Sequence, residues 1–231
     1  MRSKHLIFDL DHTLWDFESN SQETLAELYD VFELKAAGIA DAERFIELYK
    51  IENERCWADY RNGRMTKEVL RNERFLRALR MYELEDEVLA AQLANAYVER
   101  SPSKTRLMPG SIEVLEHSRD LGYELHILTN GFKEVQYRKL EGSKLSPYFT
   151  HIFTSEEIGF TKPHAGAFNH ALKQAGAHPE NTWMIGDSLE ADVLGAHAVG
   201  LTTVLYHPHD EPEPEVPHYT VKHLLDLKAL L

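Results

Sequence analysis

The chain has few of the features that mark secreted, membrane or nucleic-acid-binding proteins. Its 231 residues include a single cysteine, Cys56, which excludes an internal disulfide and favours a reducing cytoplasm. No apolar run is long enough to span a bilayer. Positive charge is scarce too, because 25 Lys and Arg stand against 38 Asp and Glu, a formal net charge of −13. This balance disfavours a nucleic-acid polymer or an anionic membrane as partner, but it permits a small anionic substrate.

The hydrophobic pattern changes along the chain and predicts two kinds of structure. Residues 5–10 are predicted to form a buried strand. Between about residues 19 and 100, apolar side chains recur at spacings of three and four, which indicates amphipathic helices. We expect four of them and no strand in this stretch. They are centred on residues 22–29, 42–49, 67–79 and 86–98.

After residue 101 the pattern alternates between helices and apolar strands. This alternation predicts an α/β fold with a doubly wound parallel sheet and right-handed crossovers. The expected architecture is an α/β core of residues 1–16 and 101–231, with a helical domain of residues 17–100 inserted after the first strand. The predicted strands are 123–128, 152–154, 182–185 and 202–205, and the predicted helices are 111–121, 132–141, 165–175, 189–199 and 221–229.

A proline- and glutamate-rich segment, residues 211–217, interrupts the last part of the core. Proline fixes the backbone and removes a hydrogen-bond donor, so a surface loop is expected. His207, His209 and His218 flank the segment, but their spacing matches no metal motif. A solvated loop is therefore preferred over a metal site.

Polar residues follow the predicted strands at the ends where an open parallel sheet binds ligands. Asp9 and Asp11 end the first strand, and burying an ionised carboxylate is expensive unless a partner or metal compensates. Taken singly, the other groups have simpler interpretations: Asp187 as a helix cap, Thr129 as a turn hydroxyl and Lys162 as a solvated charge. Four such groups in one order, each at a strand end, predict an active site.

With these motifs the sequence resembles the phosphatases of the haloacid dehalogenase (HAD) superfamily. Those enzymes carry Asp-x-Asp-x-Thr, then a Thr or Ser after the second strand, then a Lys, then Gly-Asp followed by a further acid. The resemblance covers the whole chain and implies a HAD-like, Rossmann-type core. It also implies that the helical insertion is the cap of this family. The matching positions are Asp9, Asp11 and Thr13, then Thr129, then Lys162, then Gly186, Asp187 and Asp192.

The resemblance implies different roles for the first two carboxylates. Asp9 is the expected nucleophile, which forms an aspartyl-phosphate that water then hydrolyses. Asp11 is the expected general acid and base, which protonates the leaving alcohol and then activates water. The dehalogenases of the superfamily lack an acid at this position, so Asp11 favours phosphate-ester hydrolysis. Thr13 is expected to orient Asp11 or its loop.

The remaining motif residues are expected to bind phosphate and metal. Thr129 and Lys162 are predicted catalytic residues that, with Asn130, also contact the substrate phosphate. The implied cofactor is Mg²⁺, a hard cation that carboxylates and phosphate oxygens bind. Its implied ligands are the Asp9 side chain, the Asp11 backbone carbonyl and the Asp187 side chain, with Asp192 contributing directly or through a neighbour.

Four segments narrow the resemblance to bacterial HAD pyrimidine 5′-nucleotidases, including those that act on non-canonical nucleotides. They are residues 9–17, 53–63, 128–136 and 155–163. On this basis Trp57, Tyr60 and Arg61 are candidate substrate-binding residues for a nucleoside. Packing between helices is the alternative for Trp57, and a solvated charge is the alternative for Arg61.

These inferences predict a cytoplasmic, Mg²⁺-dependent phosphomonoesterase. Its predicted substrate is a small phosphorylated metabolite, a pyrimidine nucleoside monophosphate, and its predicted state is a monomer or weak dimer. A phosphatase of sugar phosphates or other small metabolites is the nearest alternative, and a phosphomutase is another. A catalytically silent binding module that keeps the fold is a remote one.

Overall fold

A computed structural model describes residues 4–208 and 216–231. His209 and residues 211–215 of the predicted proline-rich loop lie outside the described residues. The chain divides into two compact units, Met1–Phe17 with Thr105–Leu231, and Glu18–Lys104. Among the described residues, no helix has the length and hydrophobicity needed to cross a bilayer.

Four long helices account for most of the unit Glu18–Lys104, as the apolar spacing predicts. Three of them begin with a side chain that accepts a backbone N–H of the first turn: Asp41, Thr66 and Asp86. Cys56 is buried among these helices, and burial raises the pKa of its thiol to about 11. The helices are α1 Phe17–Val31, α2 Ala42–Arg61, α3 Lys67–Arg80 and α4 Glu87–Arg100.

In the described part of the other unit, six parallel strands form the sheet. They are β1 Lys4–Phe8, β2 Tyr123–Thr129, β3 His151–Thr154, β4 Thr182–Gly186, β5 Thr202–Tyr206 and β6 Tyr219–Val221. The order across the sheet is β3-β2-β1-β4-β5-β6, which confirms the predicted doubly wound α/β fold. The winding reverses between β1 and β4, and in such sheets ligands bind at the carboxyl ends of the strands beside this reversal.

Both faces of the sheet are covered, because successive residues of β1 pack into different hydrophobic clusters. Leu6 and Phe8 belong to one cluster, and Ile7 belongs to another with Leu128 and Phe168. A strand buried on both faces reads as a continuous apolar run, as β1 does. The flanking helices are α5 Ser111–Asp120, α6 Lys133–Gly142, α7 Ser155–Ile158, α8 Ala165–Ala175, α9 Gly195–Ala198 and α10 Leu227–Leu230.

Two predictions for the C-terminal part of the chain need correction. The predicted helix 189–199 is instead a π-helical turn, Leu189–Leu194, followed by the short helix α9. The predicted helix 221–229 is also wrong at its start, because Val221 ends β6, which pairs with β5. Tyr219, Thr220 and Val221 are strand-forming residue types, and only the later residues 227–230 are α-helical.

Candidate active site

Three carboxylates and one lysine meet at the carboxyl end of β1. Asp9 follows this strand, and its N–H donates to the Ile185 carbonyl of β4 at 2.9 Å. Lys162 Nζ lies 2.6 Å from Asp9 Oδ1 and 2.6 Å from Asp192 Oδ1. One carboxylate oxygen from each of Asp9, Asp187 and Asp192 lies within 4.8 Å of the others. The predicted residues are therefore brought together, although Lys162 lies in the loop between α7 and α8 and not at a strand end as expected.

Burial makes these groups interact strongly. Desolvation raises the pKa of Asp9 to about 8, with Lys162 opposing and Asp192 reinforcing the shift. Desolvation and the neighbouring Asp192 likewise raise the pKa of Asp187 to about 7. Burial alone would lower the pKa of Lys162, but Asp192 and Asp9 raise it above its ordinary value, and the lysine stays protonated. The single positive charge of Lys162 does not balance the negative charge of three ionised carboxylates.

This cluster has the composition that a divalent cation requires. Ionised Asp9, Asp187 and Asp192 carry three negative charges, and Lys162 returns one, so a dication would balance the remainder. Carboxylate oxygens are the ligands that Mg²⁺ prefers in proteins. Burial and the neighbouring Asp192 raise the pKa of Asp9 and Asp187, and a dication would favour the ionised form of both carboxylates. The residues present therefore fit Mg²⁺.

The position of Asp192 depends on the turn that carries it and on Gly186. In the π-helical turn, the Ser188 side chain accepts from the Ala191 N–H, and the Ser188 N–H donates to Asp192 Oδ2 at 3.0 Å. A Cβ on Gly186 would lie 2.2 Å from the same Asp192 oxygen, which is too close for any side chain. The absence of a Cβ at residue 186 thus lets Asp192 reach Lys162.

Thr13 contacts a different carboxylate from the one expected. It is fully buried, and its hydroxyl donates to Asp187 Oδ1 at 3.0 Å. The hydroxyl therefore orients a candidate metal ligand rather than Asp11. The order of residues in the motif did not indicate this contact, because Asp187 is 174 positions further along the chain.

Asp11 occupies separate electrostatic surroundings. Lys139 Nζ lies 2.6 Å from Asp11 Oδ1, and Gln136 Nε2 donates to Asp11 Oδ2 at 2.8 Å. Lys139 is only 3% exposed, and its ammonium group lies 4.2 Å from the centre of the Trp15 ring. A buried cation stacked on an aromatic face has little freedom to move. Asp11 is thus held by groups other than those that hold Asp9.

Gln136 also connects Asp11 to Thr129. Its Nε2 donates to Thr129 Oγ1 at 2.7 Å, and the same hydroxyl accepts the Gly131 N–H at 3.1 Å. A Cβ on Gly131 would lie 2.1 Å from the Gln136 amide nitrogen, so residue 131 has to be glycine for this packing.

Neither Gln136 nor Lys139 was predicted as a site residue from the sequence. Their spacing offered a signal: they stand three apart in α6 and share its buried face with Leu140. Polar side chains on the apolar face of an amphipathic helix are costly without partners, and these two have Asp11.

Asn130 holds the loop that carries Lys162. Its Nδ2 donates to the Lys162 carbonyl at 2.9 Å, and its Oδ1 accepts the Lys162 N–H at 2.7 Å. The side chain thereby fixes the backbone of the buried lysine. Direct contact of Asn130 with substrate stays a prediction.

The remaining candidate residues lie in the other unit, at the end of α2. The Trp57 and Tyr60 rings meet edge to face with their centres 5.6 Å apart. Arg61 pairs with Glu54 at 2.6 Å. All three candidates are partly exposed. Their role in substrate binding stays a prediction.

Comparison with known proteins agrees with the geometry. The haloacid dehalogenase-like hydrolase family matches residues 3–200. Pyrimidine 5′-nucleotidase PynA of Streptococcus pneumoniae is 33% identical over 96% of this chain and 94% of its own. Pyrimidine 5′-nucleotidase YjjG of Escherichia coli is 33% identical over 100% of this chain and 99% of its own.

A solved structure shows the same fold over the full length. The HAD-hydrolase YfnB of Bacillus subtilis, solved bound to magnesium, superposes with a TM-score of 0.88 at 30% identity, covering 100% of this chain and 99% of that one. The sheet topology, the four ordered motifs and these relatives agree. The chain belongs to the haloacid dehalogenase-like hydrolase family and is a phosphatase of that family.

Proposed function

We propose that this chain is a Mg²⁺-dependent phosphomonoesterase that forms an aspartyl-phosphate on Asp9 and prefers pyrimidine nucleoside monophosphates. The main support for this mechanism is that Asp9 and Asp11 have different ion-pair partners. Asp9 and Asp11 are two residues apart, yet Asp9 pairs with Lys162 and Asp11 with Lys139. Carboxylates in different surroundings can do different work, one as nucleophile and the other as proton carrier.

In the first step, an Asp9 oxygen attacks phosphorus and the ester P–O bond breaks. Asp11 gives its proton to the departing alkoxide, which leaves as the alcohol. In the second step, Asp11 takes a proton from water as the water oxygen attacks the phosphorus of the aspartyl-phosphate. Asp9 is released as carboxylate together with inorganic phosphate. Acid–base help of this kind contributes roughly 10²–10⁴-fold to the rate.

Positive charge has to accompany this attack, because a carboxylate and a phosphate repel each other. In this proposal Lys162, which lies 2.6 Å from Asp9, also contacts a phosphate oxygen. The Thr129 hydroxyl, which accepts from Gln136, donates in this proposal to another phosphate oxygen. When bound, Mg²⁺ would neutralise charge on the phosphate and keep Asp9 ionised. The Asp9 and Asp187 side chains and the Asp11 carbonyl would hold it, with Asp192 contributing through its contacts or directly.

The substrate preference rests on the two curated relatives named pyrimidine 5′-nucleotidases, both matched over nearly the full chain. We infer that the helical unit, Glu18–Lys104, is a cap that selects the substrate. In this proposal Trp57 and Tyr60 stack on or bond to the base, and Arg61 contacts the nucleoside. We also infer a cytoplasmic enzyme that is a monomer or weak dimer.

A phosphate-release screen with Mg²⁺ tests this function directly. The panel contains pyrimidine and purine nucleoside monophosphates, hexose phosphates and triose phosphates. We expect the highest kcat/KM on a pyrimidine nucleoside monophosphate. A higher value on a sugar phosphate would overturn the nucleotide preference and leave the phosphatase intact. A product that retains phosphate would indicate a phosphomutase, and complete inactivity on the panel would favour a silent module.

Alanine variants of Tyr60 and Arg61 test the cap assignment. If these side chains contact the nucleoside, the variants lose rate on nucleotides more than on sugar phosphates. Equal relative rates across the panel would remove them from the pocket. Arg44→Ala is the matched control, because Arg44 is an exposed arginine of α2 that pairs with Glu47. We expect it to leave the rate on nucleotides relative to sugar phosphates unchanged.

A further inference from the structure

A second cluster of metal-binding residue types lies in the sheet, away from the carboxylates. His5 of β1 and Glu124 and His126 of β2 each offer one ligand atom, and these atoms lie within 4.8 Å of one another. The parallel register pairs His5 with Glu124, and alternate residues of a strand share a face. The sheet therefore places all three side chains on the same face. We call this cluster the histidine site.

The histidine site is distant from the active site. His5 precedes Asp9 by four residues, which is about 13 Å along an extended strand. It lies toward the amino end of β1, whereas Asp9 follows the carboxyl end. No motif described above uses its residues.

The two imidazoles are buried and in the form that binds metals. His5 is 2% exposed and His126 is fully buried. Desolvation by burial lowers the pKa of both, that of His126 to about 3, so both rings are neutral. His5 Nδ1 lies 3.1 Å from His126 Nε2, which requires one of these nitrogens to carry the proton between them.

Packing alone does not explain a histidine at residue 126. Its ring stacks on His5 and on His151, and a phenylalanine could fill the same place. The imidazole adds Nε2, which faces His5 Nδ1 at 3.1 Å and is the nitrogen that a metal between the two rings would use.

We propose that His5, Glu124 and His126 bind a divalent transition metal, with Zn²⁺ the best match. Two imidazole nitrogens and one carboxylate oxygen suit Zn²⁺, whereas Mg²⁺ prefers oxygen ligands alone. The metal replaces the proton held between His5 and His126. Glu124 is partly exposed, which leaves a route for the ion and a position for water as a further ligand.

Calorimetric titration of the untagged, full-length protein with Zn²⁺ tests the proposal. Saturating Mg²⁺ is present throughout, so that the carboxylates at Asp9 are occupied. We expect one tight Zn²⁺ per chain. Glu124→Gln removes the anionic ligand, and His126→Phe keeps the ring stack but removes both nitrogens. Each should weaken this binding by roughly 10–100-fold or more, the range seen when the environment of a metal site is disrupted.

His151→Phe is the matched control. It changes a stacked histidine that is not among the three ligands, and we expect it to bind Zn²⁺ as the parent does. Wild-type binding in both Glu124→Gln and His126→Phe, or the absence of a Zn²⁺ site in the parent, would overturn the proposal. If His126→Phe fails to fold, Glu124→Gln still tests the proposal. Residue 124 is only partly buried, so we expect this variant to fold.

Anomalous diffraction from crystals grown with Zn²⁺ and Mg²⁺ locates the ion. A Zn²⁺ peak between His5 and His126 supports the proposal. A peak confined to Asp9 and Asp187 overturns it. The result does not depend on the proposed phosphatase substrate, since Glu124→Gln is expected to keep the parent's Mg²⁺-dependent phosphate release.

Discussion

At the level of single residues, Asp9 and Asp11 show how one loop prepares two carboxylates for different tasks. Asp9 is 8% exposed and shares Lys162 with Asp192. Asp11 is more accessible and is held by Lys139 and Gln136. The short distance between them in sequence is therefore compatible with separate chemical roles.

Replacing Asp11 by Asn should separate the two chemical steps. With p-nitrophenyl phosphate, the leaving group needs no proton, so Asp9 can still be phosphorylated. Hydrolysis of the aspartyl-phosphate then lacks its base, and we expect steady-state turnover to fall roughly 10²–10⁴-fold. Rapid-mixing absorbance should show a burst of about one p-nitrophenolate per chain, the signature of a covalent intermediate. Asp9→Asn should show no burst, and a burst in that variant would contradict the assignment.

Lys139 is expected to position Asp11 rather than to touch substrate. Lys139→Met removes the cation 2.6 Å from Asp11, and we expect kcat to fall roughly 10–100-fold with little change in KM, since misplaced groups cost about this much. Lys139→Arg restores the charge and should recover most of kcat. The measurement is steady-state kinetics on the best substrate.

Lys133→Met is the control for Lys139, because Lys133 lies on the same helix but is exposed and pairs with Glu157. It should leave kcat unchanged. An equal loss in the Lys139 and Lys133 variants, or no recovery in Lys139→Arg, would mean that Lys139 acts only through folding.

At the level of elements, the π-helical turn Leu189–Leu194 links backbone geometry to the site. The turn carries Asp192 close to Gly186. A Cβ added to Gly186 would lie 2.2 Å from an Asp192 carboxylate oxygen. Wide turns of this kind occur frequently at functional sites. A substitution at residue 186 therefore acts on the carboxylate cluster.

Gly186→Ala should displace Asp192 from Lys162 and from the Ser188 N–H. We expect a loss of about 1–3 kcal/mol in the free energy of unfolding, typical of overpacking, and weaker Mg²⁺ binding. Gly176→Ala is the control, because that glycine has φ +63° but nothing within 4 Å of an added Cβ. It should lower stability through backbone strain, by about 1 kcal/mol, without changing Mg²⁺ affinity. Denaturant titrations with and without Mg²⁺ provide both values.

The sequence predicts elements better than it predicts contacts between them. Continuous apolar strands and helical spacing indicated the α/β fold, because each pattern depends on local periodicity. The contacts of Thr13 with Asp187 and of Lys139 with Asp11 span 174 and 128 positions, and only the folded sheet brings them together. The π-helical turn was missed because the apolar pattern of six residues does not distinguish its spacing from that of an α-helix.

At the level of the whole molecule, the buried carboxylates couple stability, protonation and metal binding. Asp9 and Asp187 have pKa values raised to about 8 and about 7 from 3.8, and the metal-free native protein thus holds protons that the unfolded chain has lost. Through these two groups, the free energy of unfolding should fall as the pH rises from about 4 to about 8. A bound cation favours the ionised carboxylates and opposes this loss.

Mg²⁺ should therefore stabilise the protein more at higher pH and release protons as it binds. We expect the increase in Tm on adding Mg²⁺ to be several degrees larger at about pH 8 than at about pH 6, because protons compete with the ion for Asp9 and Asp187 at the lower pH. Calorimetry in buffers of different ionisation enthalpy measures the released protons. Asp187→Asn removes one titrating carboxylate and should reduce both the pH dependence and the proton release. An Mg²⁺ effect on Tm that is equal at both pH values would show that these two carboxylates do not govern the binding.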